Sequence, residues 1–257
     1  MGFQAVNMDS IARFNSANSS DFLSAYTSYI SDKIRTNLNR PKSRILAPSS
    51  LRCARKCWFR LRGSEPDVIQ APNTCLQYTA DIGTSRHQAI QTNLSNMLGD
   101  QWLSVDDYLS MLDDYPYDYS IRKYGMEYQI SIEYPPIRFA CDGIIVWNDK
   151  IFLLEIKTTD YSSWNSLTEP KSVHMDQIKC YCTLLKIHDA LVLYEDRQYG
   201  EYKCYELHFT QNDFSYIKDR IDYIMEMTDH NLAPEKLPQS DYMCKNCEYQ
   251  KKCLEWG

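Results

Sequence analysis

The chain has 257 residues, 44% of them hydrophobic and 24% charged, with a formal net charge of −6. That length suits one large domain, or a core with an appendage, and no apolar run is long enough to span a bilayer. The start, Met1-Gly-Phe-Gln-Ala-Val-Asn-Met-Asp9, lacks the basic and apolar regions of a secretory signal, so the expected location is cytosolic and the ten cysteines need a reason other than disulfides.

Residues 1–19 are polar, rich in Asn and Ser, and read as an arm. Asp21 is placed to cap a helix to about Asn37, with Phe22, Tyr26, Tyr29, Ile30 and Ile34 on one face as core packing. Residues 1–45 are thus expected to form an arm and helix, and 46–257 the main domain. From Arg40 to Gly63 there are eight basic residues (Arg40, Lys42, Arg44, Arg52, Arg55, Lys56, Arg60 and Arg62) and no acid, a local +8 that leaves −14 for the rest. Such a segment docks phosphates even on an acidic protein; a solvated helix face explains it equally well.

Ser49–Arg62 reads as a serine-capped helix with Leu51, Trp58 and Leu61 buried and its arginines outward. After a loop containing Pro66 and Pro72, a helix over Leu76–Leu98 carries Gly83 and His87 beside an apolar stripe of Ile90, Leu94 and Met97. A histidine so placed is more often core than ligand. Residues 100–122 are acidic and tyrosine-rich and read as a short helix and loop. Tyr124–Tyr134 alternates apolar and polar residues as one half-buried strand.

Two strands follow, Phe139–Trp147 and Ile151–Lys157, joined at Asn148-Asp149-Lys150, where Asn and Asp tolerate a tight hairpin turn. Asp142 interrupts the first; Glu155 and Lys157 share one face of the second. Charged groups in the middle of a sheet need a task. An internal ion pair or an exposed edge is one account, and a hard-metal site beside a positioned ammonium is the other.

Val173–Ile187 reads as a helix presenting Gln177 and Tyr181 on one face. Ala190–Tyr194 and Lys203–Phe209 read as strands about Tyr199-Gly200, and Asn212 as the cap of a helix to about Thr228. A loop with Pro234 and Pro238 leads to Cys244-x-x-Cys247-x5-Cys253, a metal-ligating spacing. The element order predicts an α/β fold with a mixed sheet flanked by helices. Cys75, Cys141, Cys180, Cys182 and Cys204 read as small apolar residues.

In order, Gly83–His87, Asp142-Gly143, Glu155–Lys157 and Gln177–Tyr181 resemble the motif series of the PD-(D/E)XK nuclease superfamily, in its RecB-like branch. The resemblance spans roughly residues 49–256. It implies a restriction-endonuclease-like core and a DNA exonuclease acting on single strands or ends. His87, Asp142 and Glu155, with the Ile156 carbonyl, would hold Mn²⁺ or Mg²⁺, the imidazole favouring Mn²⁺. Lys157 would orient water or stabilise developing charge, with Gln177 and Tyr181 supporting it or touching DNA. Arg52, Arg55, Lys56, Arg60 and Arg62 would line the path of the DNA.

The cysteines are similar to those of the iron–sulfur members, which include AddB-type helicase–nucleases, CRISPR-adaptation exonucleases and viral relatives. One upstream and three C-terminal cysteines there hold a [4Fe–4S] cluster, which here implies Cys53, Cys244, Cys247 and Cys253. Ala54 stands where the family usually has Pro, and Cys57 is a rival ligand; a four-thiolate zinc site is the alternative metal. No Gly-x4-Gly-Lys-Ser/Thr occurs, so a helicase, recombinase or CRISPR-adaptation partner would be a separate chain, and the compartment would be the host cytoplasm for a viral member. A non-catalytic DNA-binding scaffold, or an unrelated carboxylate enzyme such as a glycosidase, are the other classes considered.

Overall fold

A computed structural model of the protein describes residues 16–38, 43–67, 74–245 and 247–256. Most of the expected arm, Arg40, Lys42 and the loop around Pro72 lie outside the described residues. The described residues fall into two compact units, residues 16–38 with 74–80, and residues 43–67 with 81–256.

In the first unit, helix α1 (Ser16–Leu38) starts before Asp21, which is therefore interior and not a cap. Ile34 is buried, but Phe22, Tyr26 and Tyr29 are exposed, against the expected core face. Phe22 and Tyr26, one turn apart, stack on each other along the helix surface.

The second unit holds all the strands. After a 3₁₀ turn at Pro48–Ser50, α2 covers Ala54–Leu61, with Cys53 and not Ser49 at its N-cap. Helix α3 (Thr74–Leu98) continues from the first unit. Then come β1 (Trp102–Leu103), α4 (Val105–Ser110) and a meander of β2 (Tyr119–Tyr124), β3 (Glu127–Ile132) and β4 (Ile137–Cys141). The region expected as a loop thus contributes β1 and most of β2. The strand expected over Tyr124–Tyr134 is β3, while Tyr124 itself ends β2, because Gly125, at φ +62°, turns the chain back after it.

β5 (Gly143–Trp147) and β6 (Lys150–Thr159) form the expected hairpin, with Asn148 and Asp149 both at positive φ and Trp147 paired to Lys150. Next are α5 (Tyr161–Asn165), α6 (Ser172–Leu185), β7 (Asp189–Asp196), β8 (Tyr202–His208) and α7 (Gln211–Asp229). Thr210, one residue outside the helix, caps α7 in a reciprocal capping box with Asp213, a role expected of Asn212. Short helices α8 (Tyr242–Lys245) and α9 (Gln250–Glu255) follow.

The fold is mixed α/β. A five-stranded sheet runs β1-β5-β6-β7-β8, with β6 and β7 parallel and the other pairs antiparallel. A separate three-stranded sheet runs β2-β3-β4. Phe139–Trp147 is therefore not one strand: it passes from one sheet to the other at Asp142. Gly143 opens β5 where a Cβ would stand 2.8 Å from the Trp102 ring, a rigid neighbour that could not yield cheaply.

Period-two alternation sends Leu153, Ala190 and Val192 into one core with Ile178, Cys182 and Leu185 of α6 and Ile217 and Ile221 of α7. The opposite face carries Leu154 and Ile156 against Ile90 and Leu94 of α3. Burying each large apolar side chain stabilises by about 1.5–3 kcal/mol, so both helical layers are held firmly. Glu155 and Lys157 consequently face α6, while Glu195 faces α3. Among the described residues no helix is long and apolar enough to cross a membrane.

Candidate active site

The break at Asp142 creates the site. In the antiparallel register Gly143 pairs with Leu154, so Asp142 comes next to Glu155 just where β4 and β5 part. Ile156 N–H would otherwise lack a partner; it donates to Asp142 Oδ2 at 2.7 Å. Asp142 Oδ1 lies 3.2 Å from His87 Nδ1. Gln91, one turn beyond His87 on α3, donates to the Asp142 carbonyl at 2.8 Å. One carboxylate thus ties the helix to the sheet with both oxygens.

On the α6 side, Lys157 Nζ donates to Glu155 Oε1 at 2.5 Å and to Gln177 Oε1 at 3.4 Å. Gln177 Nε2 lies 3.2 Å from Glu155 Oε1 and 2.7 Å from the Tyr181 hydroxyl. Gln177 and Tyr181 share a face because they are four residues apart on α6. Tyr181 is buried and stacks on Phe139, which fixes Gln177 in turn.

Each of the expected residues His87, Asp142, Glu155, Lys157, Gln177 and Tyr181 belongs to this network. One residue was missed. The ligand atoms of His87, Glu127 and Asp142 lie within 4.8 Å of one another, the one such trio among the described residues. Glu127 opens β3 immediately after the Gly125-Met126 turn. Alternation assigned it to the polar side of a strand, and only the hairpin turn shows which way that side faces. Glu155, expected as a ligand, is outside the trio; its Oε1 is engaged by Lys157 and Gln177.

Electrostatics follow from three carboxylates sharing one site. Burial and the Asp142 charge push Glu155 up to about 7, against the opposing pull of Lys157. Burial and Asp142 also raise Glu127. Burial disfavours the charged forms of His87 and Lys157, but Asp142 outweighs it at His87 and Glu155 at Lys157, so both are raised. The site has an excess of negative charge that a hard cation would neutralise, and oxygen donors with one imidazole suit Mg²⁺ or Mn²⁺.

Behind His87, Arg86 makes a bidentate pair with the buried Glu195, which also accepts from Tyr202 at 2.8 Å. Burial opposes ionisation of Glu195, but these hydrogen bonds hold it below the usual carboxylate range. The pair clamps α3 to β7 and β8 next to His87.

A second cluster lies at the cysteines. Cys53, Cys244, Cys247 and Cys253 line one cavity of about 60 Å³. Cys57 does not; it is buried, its Sγ donates to Ser50 O at 3.2 Å, and burial raises its pKa to about 12. The C-terminal segment is held to the 43–67 region by Arg52 Nη2 to Asp241 Oδ2 at 2.9 Å and Lys252 N to Asp67 Oδ2 at 3.0 Å. Trp58, Phe59 and Tyr249 pack between them.

The arginines are not all outward. Arg55 is buried, with Nε donating to Pro234 O at 2.5 Å, so it cannot contact a phosphate, contrary to the expectation. Its position on α2 turns inward because α2 packs against α7. Arg52 is paired with Asp241, and the Arg62 guanidinium lies 4.6 Å from the Trp58 ring centroid. Lys56 and Arg60 are half-buried.

No protein-family model and no curated protein matches the chain. Among solved structures, SSO0001 is similar at a TM-score of 0.47 and 17% identity, covering 87% of this chain and 94% of that one. An alkaline exonuclease, LHK-Exo, from Laribacter hongkongensis is similar at a TM-score of 0.47 and 12% identity, covering 76% of this chain and 93% of that one. The same exonuclease in complex with dAMP matches at 0.47 and 12%, over 74% and 90%.

Proposed function

We propose that the protein is a divalent-metal-dependent DNA nuclease of the PD-(D/E)XK type, an exonuclease working on single strands or ends. What carries the reading is the convergence of His87, Asp142, Glu155, Lys157, Gln177 and Tyr181 through hydrogen bonds at a broken strand. The donor set fits a hard cation, with Asp142, His87 and Glu127 as the converging ligands and Glu155 and the Ile156 carbonyl within the same site. When bound, the cation supplies acidification of water and neutralisation of phosphate charge.

The chain's own residues supply the rest. Lys157, kept as an ammonium by Glu155, is a fixed positive charge for an anionic phosphate or a nucleophilic hydroxide. Gln177 hydrogen-bonds both Lys157 and Glu155, so neither side chain need reorganise during reaction. The Asp142–His87 contact fixes the ligand from α3.

We further propose that Cys53, Cys244, Cys247 and Cys253 hold a [4Fe–4S] cluster. The donor set is four thiols around one cavity.

End-labelled single- and double-stranded DNA, incubated with Mn²⁺, Mg²⁺ or EDTA, tests the nuclease reading. Release of labelled nucleotides is expected with either metal and none in EDTA. Cleavage that persists in EDTA, or that is absent in both metals, would refute it.

A further inference from the structure

His174 lies on the face of α6 that carries Gln177 and Tyr181, one turn before Gln177, and the chemistry above leaves it unused. Its Nδ1 is 2.8 Å from the hydroxyl of Tyr194. Tyr194 is fully buried and, in the parallel register, stands beside Lys157 on the side of the sheet toward α6. The hydroxyl also accepts from the Lys171 backbone N–H at 3.1 Å, and among the described residues Nδ1 is the acceptor left for its own hydrogen. A buried O–H is seldom left unpaired, so it donates to Nδ1. A neutral imidazole that accepts at Nδ1 carries its hydrogen on Nε2. Burial, with Lys157 and Lys171 nearby, pushes His174 down to about 4, so the ring is neutral near pH 7. His174 is only half-buried, and Nε2 is neither hydrogen-bonded nor enclosed among the described residues. Lys171 Nζ donates to Thr159 Oγ1 at 3.2 Å, two residues beyond Lys157 on the same face of β6. An open N–H donor with two ammonium groups nearby suits an anionic oxygen.

We propose that His174 donates from Nε2 to a phosphate oxygen of the bound DNA strand, next to the phosphate that Lys157 faces, and that Tyr194 is the positioning residue that turns the imidazole for it. The inference rests on the nuclease reading above and divides the site's labour. The carboxylates with His87 take the cation, while Lys157, Lys171 and His174 take the strand. An uncharged donor adds little general attraction for nucleic acid; what it supplies is direction, which sets the register of the strand over the reacting groups.

The test uses the full chain as wild type, His174→Phe and Tyr194→Phe. Phe at 174 keeps a ring against Tyr194 without a donor; Phe at 194 keeps the ring without the hydroxyl. Binding is measured in Ca²⁺ on end-labelled single-stranded oligonucleotides, either unmodified or with one methylphosphonate, a neutral linkage, placed in turn along the strand. Wild type is assayed for cleavage in Mn²⁺ to locate the cut. His174→Phe should bind unmodified DNA about tenfold more weakly than wild type, and Tyr194→Phe about threefold more weakly. At one linkage beside the cut, the methylphosphonate should cost wild type about tenfold but His174→Phe less than about threefold, because the contact is already gone. Equal binding by wild type and His174→Phe, or losses that simply add at every linkage, would overturn the contact. Should His174→Phe not fold, as its melt would show, Tyr194→Phe takes its place in the scan. A smaller loss that vanishes at one linkage would then support the inference, and unchanged binding would overturn it. Wild type that does not cut in Mn²⁺ would overturn the nuclease reading and this inference together, whereas wild type that cuts while His174→Phe binds equally well would overturn this inference alone.

Discussion

The carboxylate site and the cysteine cavity both collect metal-ligating side chains, but the fold prepares them differently. At the first, Glu155, Lys157 and Gln177 satisfy one another, while Asp142 takes the N–H of Ile156 and lies against His87. The geometry is complete as protein alone. At the second, four thiols line a small cavity, and on α2, which starts just after Cys53, Arg55 Nη1 and Arg60 Nε are buried with no hydrogen-bond partner among the described residues. On the proposed reading, the carboxylate site is positioned by hydrogen bonds that exist before any metal, whereas the cysteine site leaves its charges to be compensated by what it would bind.

The largest effect expected from breaking this contrast is on turnover. Asp142→Ala removes the proposed cation ligand and the partner of the Ile156 N–H, and should cut cleavage by about 10²-fold or more while the fold persists, read by steady-state assay and circular dichroism. Unchanged turnover would remove Asp142 from the site.

Next is the stability of the cysteine region. Cys247→Ala should lose bound metal and destabilise the chain by on the order of 3 kcal/mol, and Cys53→Ala should do the same. Cys57→Ala should keep its metal, since its sulfur is turned to Ser50. The destabilisation will be partial, because Arg52–Asp241, Asp67–Lys252 and the Trp58–Phe59–Tyr249 cluster still hold the segment. Thermal melts with metal analysis check all three, and a colourless, metal-free Cys57→Ala protein would exchange the ligand assignment.

A smaller effect sharpens the first region. Glu127→Gln should weaken Mn²⁺ binding about tenfold by calorimetry with little change in Tm, as expected for a ligand in an otherwise finished site. Equal affinity would return Glu127 to a bystander.

How much of this was legible in the chain depended on whether the signal was local. The β5–β6 hairpin was, because Asn148 and Asp149 announce its turn. So was the shared face of Glu155 and Lys157, which needs only alternation, and that of Gln177 and Tyr181, which needs only the helical period. The strand break at Asp142 was not, since Phe139–Trp147 is apolar on both sides of it and only the two sheets tell them apart. Glu127 was hidden for the same reason: its neighbours His87 and Asp142 are distant in sequence. Arg55 was misread because a basic helix face looks solvated until α7 and the C-terminal segment are laid against it.

The smallest expected effect lies outside both regions and calibrates them. Asp213 accepts from Lys179 at 2.8 Å and from the Thr210 backbone N–H, and these hold its pKa down at about 2. A lowered carboxylate pKa stabilises the fold above its unfolded value near 4, and this stability is lost as pH falls through about 2. Asp213→Asn should therefore cost about 1 kcal/mol at pH 7, with the deficit vanishing by about pH 2 in denaturant titrations. A deficit independent of pH would mean that shape, not charge, is what the cap supplies.

The most direct test of the central claim is Lys157→Ala, assayed for Mn²⁺-dependent cleavage of end-labelled DNA and, in parallel, for DNA binding in Ca²⁺. The account predicts cleavage down by about 10²-fold or more with binding within a few-fold of wild type, because the ammonium acts on the reacting phosphate. Cleavage by the Lys157→Ala protein at the wild-type rate would contradict it.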